Sequence, residues 1–442
     1  MVWSWLSGCT PPPLEVACAP SPDNPLRGRC TVSGAVGPIA LHLTDGAEEV
    51  TFRVDAGPDV PVWGLPADST WDVSATVGGA TLSTEWAVGS LPPALASLSI
   101  DGDVPGSSIA ELLVPASCGE NGYLAAFDAR GRIRWYQGLA WAGAPREVGI
   151  GGFRFGEGQV LAVVGREQLV RTDWLADPVH RIVPDRPVHH DVVRRGGWSY
   201  VLEAEVAPGS DGAPWVQDVV AAYDDHGVRV FEWAERDVLD PATAPDPEPS
   251  TFWDPVFPGA ADAWHTNGLD VLDDGSLVLT MEQLDAVVTV VDGAIGRVLI
   301  GTPPGDPLRS DYALIEADGG DPTFARPHHP ALYPDGRLTL FDDHHARGLE
   351  LSLDHERHIA FFSREWAMEG PCNLQGSVFD APDGHVVTAC PTTRSIAEFD
   401  ADGALLGTRR LTCREGQPPA TLRAQPVDLW TGATGGVAVS RE

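Results

Sequence analysis

One hairpin constrains this chain more than any other stretch: RPHHPALYPDGRLTLFDDHHAR, Arg326 to Arg347. Ala331 and Tyr333 alternate into a turn at Pro334-Asp335-Gly336, and Leu338, Leu340 and Phe341 lead back out. Proline presets the first turn dihedral and glycine takes the positive one, so the turn has a mechanism. His328 and His329 stand just before the first strand, and His344 and His345 just after the second. The ends of an antiparallel hairpin lie side by side, so four imidazoles are expected at one edge.

The layout recurs. HHDVVRRGGWSYVL starts at His189, WHTNGLDVLDDGSLVLT at Trp264 and CNLQGSVFDAPDGHVVT at Cys372. Each is a polar lead-in, a strand, a glycine turn and a strand. Periodic units of this kind mean a repeat architecture, and radial repetition sets equivalent edges around one axis. Six units are read: Ser97 to Gln137, Arg146 to Ile182, His189 to Trp233, Trp264 to Ile300, His328 to Phe362 and Asn373 to Arg410. Four strands in each give an all-β, six-bladed propeller over residues 96–442. The segments Ala424 to Trp430 and Gly435 to Ser440 are expected to close the ring. Residues 13–95 alternate in short strands at the spacing of a small Ig- or fibronectin-like β-sandwich. Helix signals are weak throughout.

Two insertions break the period, Asp237 to Ala263 with Trp253 and Phe257, and Gly301 to Arg326. Both precede a His-bearing strand, which suggests a rim or lid over a central funnel.

The formal charge is -34, and all 29 basic residues are arginine. Such acidity argues against nucleic acid or an anionic membrane as partner, though not against a small anion held by local groups. LSGC, ending at Cys9, matches the small-residue pattern before a lipidated bacterial cysteine, and TPPP after it reads as a tether, so residues 1–12 form an N-terminal anchor region. That implies export to the periplasm or outer surface. Of seven cysteines, six then remain for three disulfides in an oxidising compartment. The short spacings suggest Cys18 with Cys30 and Cys372 with Cys390, leaving Cys118 and Cys413 to join first unit to last; sequence alone does not fix connectivity.

His190, His265 and His328 each open the inner part of a different unit, two of them doubled by His189 and His329. Clustered polar residues at a concave face mark function. Asn267, two residues after His265, would share its face on a strand. Asp191 could orient an imidazole or cap a turn, and Asp342, Asp343 and Arg347 could anchor the hairpin. Histidines without an essential Ser or Cys leave three chemistries: nucleophile, proton shuttle and metal ligand. No short metal-binding spacing is present, so a metal would need ligands from separate blades.

At these residues the chain resembles the bacterial arylsulfate sulfotransferase family. HHD at His189, WHTN at Trp264, the His328 strand leading to PDG and LFDD, and NLQGSVFDAPDG at Asn373 carry the likeness by order and spacing. The resemblance implies a six-bladed propeller behind a sandwich domain, exported, that moves a sulfuryl group from a phenolic sulfate to another phenol with neither nucleotide nor cofactor. His328 matches the histidine that is transiently sulfurylated, with His329 its neighbour. His265 and Asn267 match the pair holding the sulfuryl oxygens, and His190 a contact to sulfate or acceptor. The family has an arginine on the strand after WHTN; here Glu282 falls near that place, and Arg326 or Arg347 is the expected substitute. The alternatives are a metal-dependent hydrolase or oxidoreductase built on His190, His265, His328 and Glu282, and a non-catalytic surface binding protein.

Overall fold

The computed structural model describes residues 13–116, 118, 122–139, 149–175, 179–209, 212–239, 250–302, 308–316, 320–414, 423–430, 433–434 and 437–441. Cys9 and the tether lie outside them. The chain divides into two compact units. One comprises Met1–Ala96, Arg132–Tyr136 and Asp428–Glu442; the other comprises Ser97–Gly131 and Gln137–Val427.

The first unit holds two sheets. One orders Glu15–Ser21, Asn24–Ser33 and Asp59–Trp63; the other runs Ala433–Thr434, Val437–Arg441, Glu49–Val54, Ile39–Thr44, Thr70–Val77, Ala80–Ala87. Alternation decides which residues go inside: Leu41, Leu43, Phe52, Trp71 and Val73 are buried while their strand neighbours are not. Cys18 and Cys30, directly opposite on paired strands, form a disulfide.

The second unit is a succession of six antiparallel sheets in a propeller-like, all-β arrangement. In sheets two to six the strands follow chain order from the inside out. The innermost strands are Ile150–Gly156, Val188–Arg195, Thr266–Val271, Pro327–Leu332 and Ser377–Asp380. The strands next to them, such as Leu277–Met281 and Val386–Cys390, are buried throughout and so read as nearly continuous apolar runs. The first and last sheets exchange ends. Gln425–Val427 pairs with Glu111–Ala116 of the first, and Leu98–Asp101 pairs with Leu405–Cys413 of the last. Two disulfides, Cys118–Cys413 and Cys372–Cys390, fall in this unit. All three cysteine pairings are the expected ones.

Two expectations are corrected. Val437–Arg441 was read as part of ring closure, but it pairs with Glu49–Val54 of the first unit, setting Val439 opposite Phe52. Gln425–Val427 already closes the series, and the free edge of Glu49–Val54 offers unpaired backbone groups to the last strand. The second insertion is only partly a rim. Its Ala313–Ile315 pairs in parallel with the outer strand Ile359–Ala367, and only its end, Phe324 to Arg326, leads into the site.

Candidate functional site

The site lies where the innermost strands of sheets three, four and five begin. Each carries a register break there, between His189 and Val192, Thr266 and Gly268, and His328 and Ala331. His190, His265 and His329 take positive φ of 47°, 50° and 50°. Non-glycine residues visit that region seldom, and such strain clusters at functional sites. Glycines let neighbouring strands close in. A Cβ on Gly152 would strike the His190 carbonyl oxygen, and one on Gly268 would strike the Pro330 ring.

The rings of His190, His265 and His328 meet. His190 stands 4.9 Å from His265 and 6.4 Å from His328, centroid to centroid. They do not occupy equivalent register positions, as the repeat reading supposed. The last paired residues before each break are His189, Thr266 and His328, so His190 lies one residue beyond that position and His265 one before it. Positive φ re-aims the displaced pair. For the same reason His265 and Asn267 do not share a face by strand alternation. They converge on Glu282 instead: Asn267 Nδ2 donates to Oε2 at 2.9 Å, and His265 Nε2 stands 3.7 Å from the same oxygen.

His328 is fixed by its backbone. Its Nδ1 lies 3.0 Å from the Arg326 carbonyl oxygen, which only accepts. Nδ1 therefore carries the proton, and Nε2 keeps its lone pair. Burial pushes this imidazole down to about 4, against the pull of Glu282. His265 behaves oppositely. Burial alone would lower it, but Asp262, 2.6 Å from Nδ1, and then Glu282 push it up to about 9. His190 is held well below its ordinary range, by burial first and then by His265. Its Nδ1 lies 2.8 Å from His189 Nδ1, and His189 Nε2 is 3.1 Å from Asp218 Oδ1. Neutral and charged imidazoles thus stand side by side, the arrangement that separates acid from base roles.

Burial would raise Glu282, but His265, His328, Asn267 and Arg326 bring it down to about 2. Arg326 Nε donates to its Oε1 at 2.9 Å, and Arg326 Nη2 stands 3.2 Å from Asp343. Burial raises Asp343 to about 7 despite that arginine.

Other expected residues lie elsewhere. His329 packs on Phe379, and its Nδ1 faces the Val378 amide at 3.4 Å. Arg347 belongs to the hairpin: it bonds Asp342, Glu365 and the Asp321 and Thr323 carbonyls, so it is not a substitute sulfate ligand. His345 pairs with Asp342, and among the described residues no ring contact joins His344 or His345 to His328 or His329, because the turn at residues 342–346 leads away. Asp191 orients no imidazole; it accepts from Arg154 and Arg423 beneath the site.

The sequence reading missed Phe252. It packs 5.0 Å from His190 and 5.4 Å from His265, and an aromatic pair in the insertion was its signal. It also missed Asp262. A short strand, Ala261–Asp262, pairs in parallel with Pro214–Tyr223 and delivers that carboxylate to His265 three residues on.

The described residues thus bring three imidazoles, one amide and the Glu282 carboxylate together in an all-β chain. The arylsulfotransferase (ASST) family model matches residues 107–361, and the chain belongs to that family. No curated protein matches it significantly. Solved structures similar to it include a protein of unknown function from Bacteroides caccae, 11% identical over 72% of this chain and 99% of that one, with a TM-score of 0.41. A virginiamycin B lyase from Staphylococcus aureus in its catalytically inactive form with quinupristin is 9% identical over 70% and 87%, at 0.35. Apo AztD from Citrobacter koseri is 10% identical over 92% and 99%, at 0.31. At these TM-scores the likenesses carry no argument.

Proposed function

We propose that this chain transfers a sulfuryl group from a phenolic sulfate ester to an acceptor phenol through a sulfohistidine on His328, without a nucleotide. The observation that carries the reading is the gathering around the His190 ring of His328, whose Nδ1 faces the Arg326 carbonyl and leaves Nε2 its lone pair, and of His265, paired with Asp262. His328 Nε2 attacks sulfur as the S–O(aryl) bond breaks, and the leaving phenolate takes the His265 proton. The acceptor phenol then returns a proton to His265 as its oxygen attacks sulfur and the N–S bond breaks. Asn267, His265 and His190 serve the non-bridging oxygens, where negative charge concentrates. Asp262 keeps His265 charged between turnovers.

The six sheets are, on this reading, the blades of one propeller, and the first unit is a sandwich domain. Three disulfides support export to an oxidising compartment, with lipid on Cys9 as the anchor. The metal alternative finds little support: among the described residues no group of three His, Cys, Asp or Glu is arranged to hold an ion.

The test is release of phenol from a chromogenic phenyl sulfate. Release that depends on acceptor, gives parallel double-reciprocal lines and vanishes in His328→Ala is expected. Release that survives His328→Ala would overturn the histidine intermediate, and release abolished by chelator would restore the metal reading.

A further inference from the structure

Sulfate esters are anions, and the site as described spends its guanidinium groups on its own carboxylates. Arg326 is engaged by Glu282 and Asp343, and Arg154 and Arg423 by Asp191. Arg166 differs. It sits in the turn between Gln159–Val164 and Gln168–Thr172 of the second sheet, and its carbonyl accepts from the Val188 amide at 3.0 Å. That bond ties it to the start of the strand bearing His189 and His190. Its guanidinium lies 4.1 Å over the Phe252 ring and 5.3 Å from Trp253. Phe252 in turn touches His190 and His265, and Trp253 stands 5.0 Å from His189. No carboxylate pairs with Arg166 among the described residues, although the chain carries 63 acidic side chains against 29 arginines. Burial works against its charge. A half-buried cation with no carboxylate partner among the described residues, shelved on the aromatic ring that itself packs on His190 and His265, is poised for an anion.

We infer that Arg166 is the residue that captures the sulfate group of the donor ester at the edge of the histidine cluster, with Phe252 as the shelf that aims it. The inference rests on the sulfotransferase reading for its ligand and not for its geometry. It makes Arg166 a donor-binding residue that acts before bond breaking. Loss of the charge therefore affects donor binding and spares both the acceptor and the chemical step.

Two measurements separate this idea from the reading beneath it. In steady-state turnover of phenyl sulfate, Arg166→Met is expected to raise the donor KM about tenfold, the scale of a charged hydrogen bond, with kcat and acceptor KM little changed. Arg166→Lys should recover part of the loss and, with it, the salt dependence of donor KM. Calorimetric binding of phenyl sulfate to wild type and Arg166→Met runs in parallel. If wild type turns over and donor KM is unmoved in Arg166→Met, the capture role is wrong and the proposed activity stands. If wild type binds phenyl sulfate without turning it over and Arg166→Met loses that binding, the capture role stands and the activity is wrong. Equal binding by the two proteins overturns the inference.

Discussion

If the site takes a sulfuryl group, Glu282 is the residue that opposes its binding most directly. Its carboxylate occupies the donors a sulfuryl group would want: Asn267 Nδ2 and Arg326 Nε at 2.9 Å each, with His265 Nε2 at 3.7 Å. Two unit charges about 4 Å apart repel by about 4 kcal/mol at an effective dielectric of 20. The Arg326 side chain is 40% exposed, so water and that arginine take up much of this. A net gain of about 1.4 kcal/mol in donor binding on removing the charge corresponds to about a tenfold fall in donor KM. Glu282→Gln keeps the shape and an acceptor for Asn267 while freeing Arg326. Its cost in stability should stay below about 1 kcal/mol, because the pair it breaks is partly exposed. His265 loses one of its supporting carboxylates but keeps Asp262 and Asp218, so it remains protonated near neutral pH. Steady-state kinetics with a chromogenic phenyl sulfate, varied against a fixed acceptor, read the outcome directly. A donor KM that does not fall, together with a kcat reduced 100-fold or more, would refute the reasoning and make Glu282 a proton carrier.

Activity against pH should follow a bell. The ascending limb lies near 4, where His328 gains its lone pair, and the descending limb near 9, where His265 loses its proton. Asp262→Asn should draw the descending limb toward 6.5, the ordinary histidine value, and pH profiles of kcat check it. The same group links to stability. Because the folded value is raised, its contribution is full below about 6.5 and fades as pH climbs through 9, which thermal melts of wild type against Asp262→Asn across that window would reveal. Asp191→Asn leaves Arg154 and Arg423 buried without their shared anion and should cost about 3–5 kcal/mol in denaturant unfolding. Gly152→Ala forces a Cβ into the His190 carbonyl and should destabilise by about 1–3 kcal/mol while lowering kcat, since the strand it displaces carries His190.

Much of the second unit could be read from turn chemistry. Pro334-Asp335-Gly336 closes the hairpin between Pro327–Leu332 and Arg337–Asp342, with the Gly336 amide bonded to the Tyr333 carbonyl. Strand alternation likewise gave the first unit its inside and outside. What failed was period two at the His-bearing ends. A bulge adds a residue without marking the sequence, so His265 and Asn267 reach Glu282 by a route alternation does not foresee. Long-range partners were also hidden. Phe252 meets His190 from 62 positions away in the chain, Arg423 meets Asp191 from 232 positions away, and nothing local in either residue announces the contact. Arg347 was open to two readings because an arginine beside two aspartates looks the same whether it serves a ligand or a turn, and it serves the turn.

Arg423 has a consequence for how the molecule is made. It lies ten residues after Cys413, where the outer strand of the sixth sheet ends, and two before the strand that pairs with the first sheet, and it donates to Asp191. A ribosome must therefore have passed Arg423 before the floor under His190 exists. Contacts so distant along the chain make for slow folding. A protein clipped after Cys413 would keep all six of its bridging cysteines and every histidine of the cluster, yet lack the arginine that supports the strand carrying one of them.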